Sequence, residues 1–496
     1  MADTTPTILV GGVVLTVDSD RRVLDPGAVT VRDDRIVDVG ERDQILETYG
    51  EGDRVDLEDS LLLPGLIDSH GHSGHGLTKS LADGRDWTNL VDEIYFRASD
   101  EEFWRAEGYL SALEQLEFGV TTSISMSASK PRVDDPRYAV AASEGYADLG
   151  LRHVVGLGPP DPPHPRVCRD PHTGEEIHVD LDRAMKTTRE AIDAIDGTAD
   201  GRLSVFVAPS NVVPEVDDGG ETVITSYAGD DRFMPEFAGV SDPVASAYSV
   251  EMMQRVADLA VDADTGIQTH CHEGMVEAAA NAVPEILSSR LSLAHCAGTT
   301  LEEIEILADN DVSVTHAPLA NAFALSRFPL IEALDAGVNV SVATDGSAPD
   351  RSFDLLWQGR VAAQLQRAHF GDDSLLPAGK VVEMLTIDAA RALGMEDEVG
   401  SLEPGKKADV VALDLDSARL RPRYMYTQRV ADYASGLDVG FVMVNGEVLM
   451  EDRLFEEVPV DEILADAERA AAVTYERADA GEYLDEPENL WNATRY

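Results

Sequence analysis

An α/β fold, a (β/α)8 TIM-type barrel with a small β-sandwich built from both chain ends, is predicted by three observations. The middle of the chain alternates β-rich and amphipathic helical runs eight times over. Both ends are β-rich and broken by hairpin turns. At 496 residues the chain is too long for one ordinary domain and suits a large barrel with a smaller companion.

Residues 1–62 hold "TILVGGVVLTV", "GAVTVRDDRIVDVG" and "DRVDLEDSLLL", separated by Asp-Pro-Gly, Asp-Asp-Arg and Gly-Glu-Gly-Asp. Residues 63–395 form the barrel, with strands "GLIDSH", "GVTTSISM", "LRHVVGL", "LSVFVAP", "IQTHCHE", "LSLAHCA", "VSVTHAP" and "VNVSVATDG". Helical runs such as "EEFWRAEGYLSALEQLEFG" and "TLEEIEILADND" lie between them. Two connections, 159–180 and 214–245, are long enough to read as lids or insertions. Residues 396–456 return to β structure in "KADVVALDLDS" and "VGFVMVNGEVLMED", where Asn445-Gly446 marks a two-residue hairpin turn. Residues 457–496 read as an acidic helix and a tail bearing Trp and Tyr.

The charge balance narrows the class of partner. There are 93 acidic against 39 basic residues, a formal net charge of −54, and such a field repels nucleic acid and anionic membranes. Acid spread over a whole surface suits a protein working in concentrated salt, where screening removes the self-repulsion. No run approaches the roughly 18 apolar residues of a membrane helix. No secretory signal is visible, and the three scattered cysteines do not form a disulfide framework. A cytoplasmic location follows as the expectation.

The chemistry gathers at the C-terminal strand ends, where barrels of this kind carry their sites. Six of the twelve histidines lie there or one step beyond: His70, His72, His270, His272, His295 and His316. Buried imidazoles lose hydration, so the pattern needs a compensating partner, and a metal ion supplies one. Zinc or a similar ion takes imidazole nitrogen and carboxylate oxygen and keeps a position open for water. His70 and His72 share one face of a strand. With His270 from across the barrel and the carboxylate of Asp345, they make a four-ligand set. An ion there lowers the pKa of bound water toward about 7. Asp345 stands where it can take the water's proton, and Glu273 where it can act as general acid.

The runs "PGLIDSHGH", "THCHE", "LAHC", "VTHAPLAN" and "VATDG", in this order, resemble the amidohydrolase superfamily. So does the returning segment "TIDAARALGMEDEVGSLEPGKKADVVALD", and the resemblance covers roughly residues 7–455. It is similar to the branch of triazine hydrolases, guanine and cytosine deaminases and methylthioadenosine/adenosylhomocysteine deaminases. The resemblance implies that His270 and Glu273 form a His-x-x-Glu pair, so that His272 is not a ligand, and that His295 orients water or substrate. It also implies a single metal ion, zinc first and iron as the alternative, because "LSVFVAPSN" on strand four lacks the lysine that bridges two metals. His316, Asn321 and Trp87 are expected to touch substrate. The substrate loops depart from the family: "APSNVVPEV" stands where methylthioadenosine deaminases have a Pro-His-Ala-Pro-Tyr run, "HAPLAN" keeps Asn321 but loses the cysteine and serine of the usual His-Cys-Pro-x-Ser-Asn run, and "SAPD" follows Asp345-Gly346.

The expected function is hydrolytic removal of an amino group from an N-heterocycle of purine, pyrimidine, pterin or triazine type. The alternatives are a chlorotriazine-type dechlorinase or an amide C–N hydrolase on the same scaffold, and, behind these, a scaffold without catalysis. Expected partners are a small heterocyclic substrate and a second copy of the chain, in a dimer or larger homo-oligomer.

Overall fold

The computed structural model describes residues 5–81, 90, 92–126, 132–160, 165–212, 246–324, 327–455, 458–485 and 491. Eight parallel strands follow one another around a barrel: Leu66–Asp68, Val120–Met126, Arg152–Leu157, Leu203–Val207, Ile267–His272, Leu291–Ala297, Ser313–His316 and Val340–Val342. Their residues are almost all buried, since helices cover the outside, and hence they read as continuous apolar runs.

The first and eighth strands meet through side chains as well as backbone. Asp68 accepts from Thr344 N at 3.0 Å and from Thr344 Oγ1 at 2.5 Å, Ser69 Oγ lies 2.8 Å from Ser341 Oγ, and Asp345 N donates to the His70 carbonyl at 3.1 Å. This seam draws the two ends of the barrel sequence together. The lower mouth is plugged by Ala389, Ala390 and Leu393, which pack on Ile67, Ile124, Val154 and Phe206.

Several helices open on a side-chain cap. Asp100 accepts from Phe103 N to open Glu101–Glu117, and Thr300 with Glu303 forms a reciprocal capping box at Leu301–Asp309. Glu303 also accepts from Val276 N and Glu277 N, so one buried carboxylate serves two helix N-termini beside the fifth strand.

The chain ends meet in one eight-stranded sheet. Its order is Glu447–Glu451, Val439–Val444, Val410–Asp414, Asp53–Pro64, Thr7–Leu15, Gly27–Arg32 and Arg35–Glu41, with Val23–Leu24 on Thr7–Leu15. Val410–Asp414 runs antiparallel to Asp53–Pro64, which joins the two termini. Leu9, Val29, Leu62, Val410 and Phe441 pack together as its core. Asn445 (φ 51°) and Gly446 (φ 78°) form the turn the dipeptide predicts, and a Cβ on Gly446 would stand 2.1 Å from the Asp33 carbonyl.

Within the first long connection, Arg166–Arg169 and Glu176–Val179 pair as a small antiparallel ribbon. The second, 214–245, lies outside the described residues. The C-terminal helix, Val460–Arg477, packs on Glu101–Glu117 and on the loop beyond the first strand. Tyr475 OH donates to the Leu77 carbonyl, and Arg477 pairs with Asp100.

Candidate metal centre

Four strand ends deliver their side chains to one space. Asp345 Oδ1 lies 3.2 Å from His70 Nε2, 3.2 Å from His72 Nε2 and 3.7 Å from His295 Nε2. His270 Nε2 is 3.2 Å from His72 Nε2. The donor atoms of His70, His270, His295 and Asp345 all fall within 4.8 Å of one another, a spacing that could hold a metal ion. His70 and His72 bracket Gly71, whose carbonyl accepts from Met126 N at 2.9 Å, so the second strand fixes their approach.

Three of the imidazoles are turned by a partner on the far side of the ring. His70 Nδ1 meets Gln268 Oε1 at 3.0 Å, while Gln268 Nε2 donates to the Ser69 carbonyl (2.7 Å) and Ser292 Oγ (3.0 Å). Those two acceptors fix the amide, so its oxygen must accept the proton on His70 Nδ1. His270 Nδ1 donates to the Ser210 carbonyl at 2.5 Å. His295 Nδ1 donates to Asn321 Oδ1 at 3.1 Å, and Asn321 Nδ2 returns a bond to the His295 carbonyl at 3.2 Å. In all three rings the proton sits on Nδ1 and the Nε2 lone pair faces the common space, the arrangement metal-binding imidazoles use.

The cluster tests well as a cation site. His70 Nε2 and Asp345 Oδ1 are buried and form no hydrogen bond among the described residues. Converging lone pairs with a carboxylate repel one another unless a cation or protons stand between them. Burial favours the neutral form of two of these rings, lowering His270 well below the ordinary histidine value and His295 to about 3. Burial alone would raise the Asp345 carboxyl; the Arg351 guanidinium beside it outweighs burial and holds it well below the usual range. The backbone is left-handed at both Asp345 (φ 63°) and His295 (φ 68°), a conformation that side-chain-bearing residues rarely adopt and that clusters at functional sites.

The expected residues are distributed as follows. His70, His72, His270, His295 and Asp345 come together. Glu273 stands directly after the fifth strand with its side chain exposed, and its backbone N donates to the Ala297 carbonyl at 2.9 Å. His316 is buried at the end of the seventh strand, and neither ring nitrogen has a hydrogen-bond partner among the described residues. Asn321 bonds His295 with both ends of its amide, because the helix Pro318–Ala324 carries it back over the sixth strand end. Trp87 lies outside the described residues.

Sequence reasoning passed over Gln268 and Arg351. Gln268 carried a signal: it precedes His270 by two residues, on the same strand face, as a polar residue inside an apolar run. Arg351 carried none, since it belongs to an irregular loop six residues beyond Asp345.

A model of the amidohydrolase family matches residues 61–449. A 5-methylthioadenosine/S-adenosylhomocysteine deaminase of Moorella thermoacetica is 28% identical over 461 residues, spanning 89% of this chain and 94% of the relative. A 5'-deoxyadenosine deaminase of Methanosarcina acetivorans is 27% identical, spanning 95% of this chain and 99% of its own. Among solved structures, an adenosine deaminase from Xanthomonas campestris with bound zinc superposes with a TM-score of 0.75 at 22% identity, covering 95% of this chain and 99% of that one. An atrazine chlorohydrolase from Arthrobacter aurescens complexed with zinc gives 0.74 at 23%, covering 94% and 100%. At such identities the superpositions speak for the barrel fold, while the family match spans more than half of the chain. By that match, and with imidazoles and a carboxylate converging at the barrel mouth, this protein belongs to the amidohydrolase family.

Proposed function

We propose that the chain is a metal-dependent hydrolytic deaminase that replaces the amino group of an N-heterocycle by oxygen, releasing ammonia. The observation that carries this reading is the set of Nε2 lone pairs turned on Asp345 Oδ1, with the Nδ1 protons of His70, His270 and His295 engaged outside it. In this reading one divalent ion, zinc first and iron as the alternative, is held by His70, His72, His270 and Asp345. When bound, the ion supplies Lewis acidity that makes water nucleophilic near neutral pH.

The chain's own groups do the rest. Asp345 Oδ1 takes the proton of the attacking water and later passes it to the departing amine. His295 accepts from that water at Nε2, since Asn321 holds its other proton. Glu273 gives a proton to the ring nitrogen beside the carbon under attack, so that charge does not accumulate on the ring. His316, buried with both nitrogens unpartnered among the described residues, is assigned to the substrate. The names of the relatives support an aminopurine ring as the first class to try. The relatives are metabolic enzymes by name, the three cysteines are free and buried, and among the described residues no helix is long and apolar enough to cross a membrane. We accordingly place the enzyme in a reducing, salt-rich cytoplasm, as a dimer or larger homo-oligomer.

Ammonia release from purines, pyrimidines, pterins and triazines by the zinc-loaded chain is the test. Glu273→Gln should keep its zinc and still bind substrate while the rate falls by about 10²–10⁴. Loss of zinc in that variant would make Glu273 a ligand. Ammonia from none of the panel, with chloride released from a chlorotriazine, would overturn deamination in favour of another leaving group.

A further inference from the structure

We propose that Arg351 is a positioning residue of the hydrolytic centre: it holds the outer oxygen of Asp345, so that Oδ1 alone is offered to the imidazole-lined space. The inference rests on the metal reading above and concerns a residue outside the proposed ligand set.

Three observations carry it. Arg351 Nη2 lies 3.0 Å from Asp345 Oδ2, whereas Oδ1 is the atom 3.2 Å from both His70 and His72. The same nitrogen also donates to the backbone carbonyls of Asp345, at 3.3 Å, and of Ala348. One guanidinium therefore grips both the side chain and the main chain of a residue held at φ 63°. Lastly, the Arg351 side chain is only 6% exposed. A buried guanidinium requires a fixed anion, and the buried carboxylate it faces is Asp345.

A carboxylate with two free oxygens can rotate about its Cβ–Cγ bond and present either of them. With Oδ2 in an ion pair with Arg351, that rotation pulls the two charges apart in a water-poor site, where their attraction is strong. The loop from Asp345 to Arg351 thus works as a clamp, closed by its last residue on its first.

The experiment compares wild type, R351Q and R351K as full chains, reading zinc affinity by chelator competition, kcat and KM separately, and the thermal midpoint. R351Q should bind zinc about 10–100-fold more weakly, the usual effect of removing a group that orients a ligand. Its kcat should fall by a similar factor with KM little changed, because the group it orients, Asp345, is assigned to the metal and to proton transfer. R351K, which keeps a cation at the end of a flexible stem, should recover part of both losses. An R351Q chain with wild-type zinc affinity and kcat would overturn the inference, even if its midpoint falls. So would an R351K chain that is folded but as impaired as R351Q. Should R351Q not fold, the comparison of R351K with wild type decides. A wild-type chain that takes up no zinc would instead refute the metal reading itself.

Discussion

Replacing Gln268 by leucine isolates the outer support of the metal centre without touching a ligand. Gln268 is fully buried, and its amide makes three hydrogen bonds: Oε1 to His70 Nδ1, and Nε2 to the Ser69 carbonyl and Ser292 Oγ. Leucine matches its volume roughly and removes all three. The Ser292 hydroxyl loses a donor but keeps its own proton for another acceptor, so the groups left stranded are His70 Nδ1 and the Ser69 carbonyl. At about 1–3 kcal/mol for each unsatisfied buried group, the fold should lose roughly 2–6 kcal/mol. That is a large part of the roughly 5–15 kcal/mol holding a typical domain, so denaturant titration should be run cold and in high salt. His70 also loses the acceptor that keeps its proton on Nδ1. Zinc affinity should then drop about 10–100-fold, or roughly 1.4–2.7 kcal/mol. Gln268→Glu separates the two effects. Its carboxylate still accepts from His70 Nδ1 but cannot donate to Ser69, so zinc affinity should largely return while stability does not. Competition with a zinc-binding fluorophore measures the first quantity and urea melts the second. A folded Gln268→Leu chain that holds zinc as tightly as wild type would refute the tautomer argument.

Two further predictions concern stability. His153 stacks on Tyr146 with ring centroids 3.5 Å apart, and burial lowers its pKa from 6.5 to about 3. The folded chain keeps it neutral while the unfolded chain protonates, so its share of stability is whole above about pH 6.5 and is lost as pH falls toward 3. The loss by pH 5 comes to about 2 kcal/mol. His153→Asn should flatten that part of the slope between pH 8 and pH 5 in denaturant melts, and an unchanged slope would show that His153 does not supply it. The formal charge of −54 implies self-repulsion that salt screens over a Debye length of about 10 Å at 0.1 M. The thermal midpoint should therefore climb from 0.1 M to 2 M sodium chloride, and a flat response would sink the salt-adapted reading.

What the sequence determined by itself is what repeats or is local. Strands such as "LSLAHCA" are apolar because both faces are covered, and each is short, so the barrel rhythm is visible without knowing any contact. Asn445-Gly446 states its turn in two residues, because both need positive φ. The histidines could be read at strand ends because a parallel barrel sends all those ends to one mouth. The tertiary structure alone decided where the side chains between the elements go. Asn321 is five residues beyond His316 in sequence, yet it bonds His295 on the neighbouring strand, since the short helix after the seventh strand folds back. Arg351 reaches Asp345 through an irregular loop with no period to betray it. The C-terminal helix has an apolar stripe of alanines, which states that it docks but not where. Its seat on Glu101–Glu117 and the first-strand loop depends on surfaces almost 400 residues upstream. Periodicity records which face of an element is buried. Which partner buries it is a matter of how distant surfaces fit, and no local pattern encodes that.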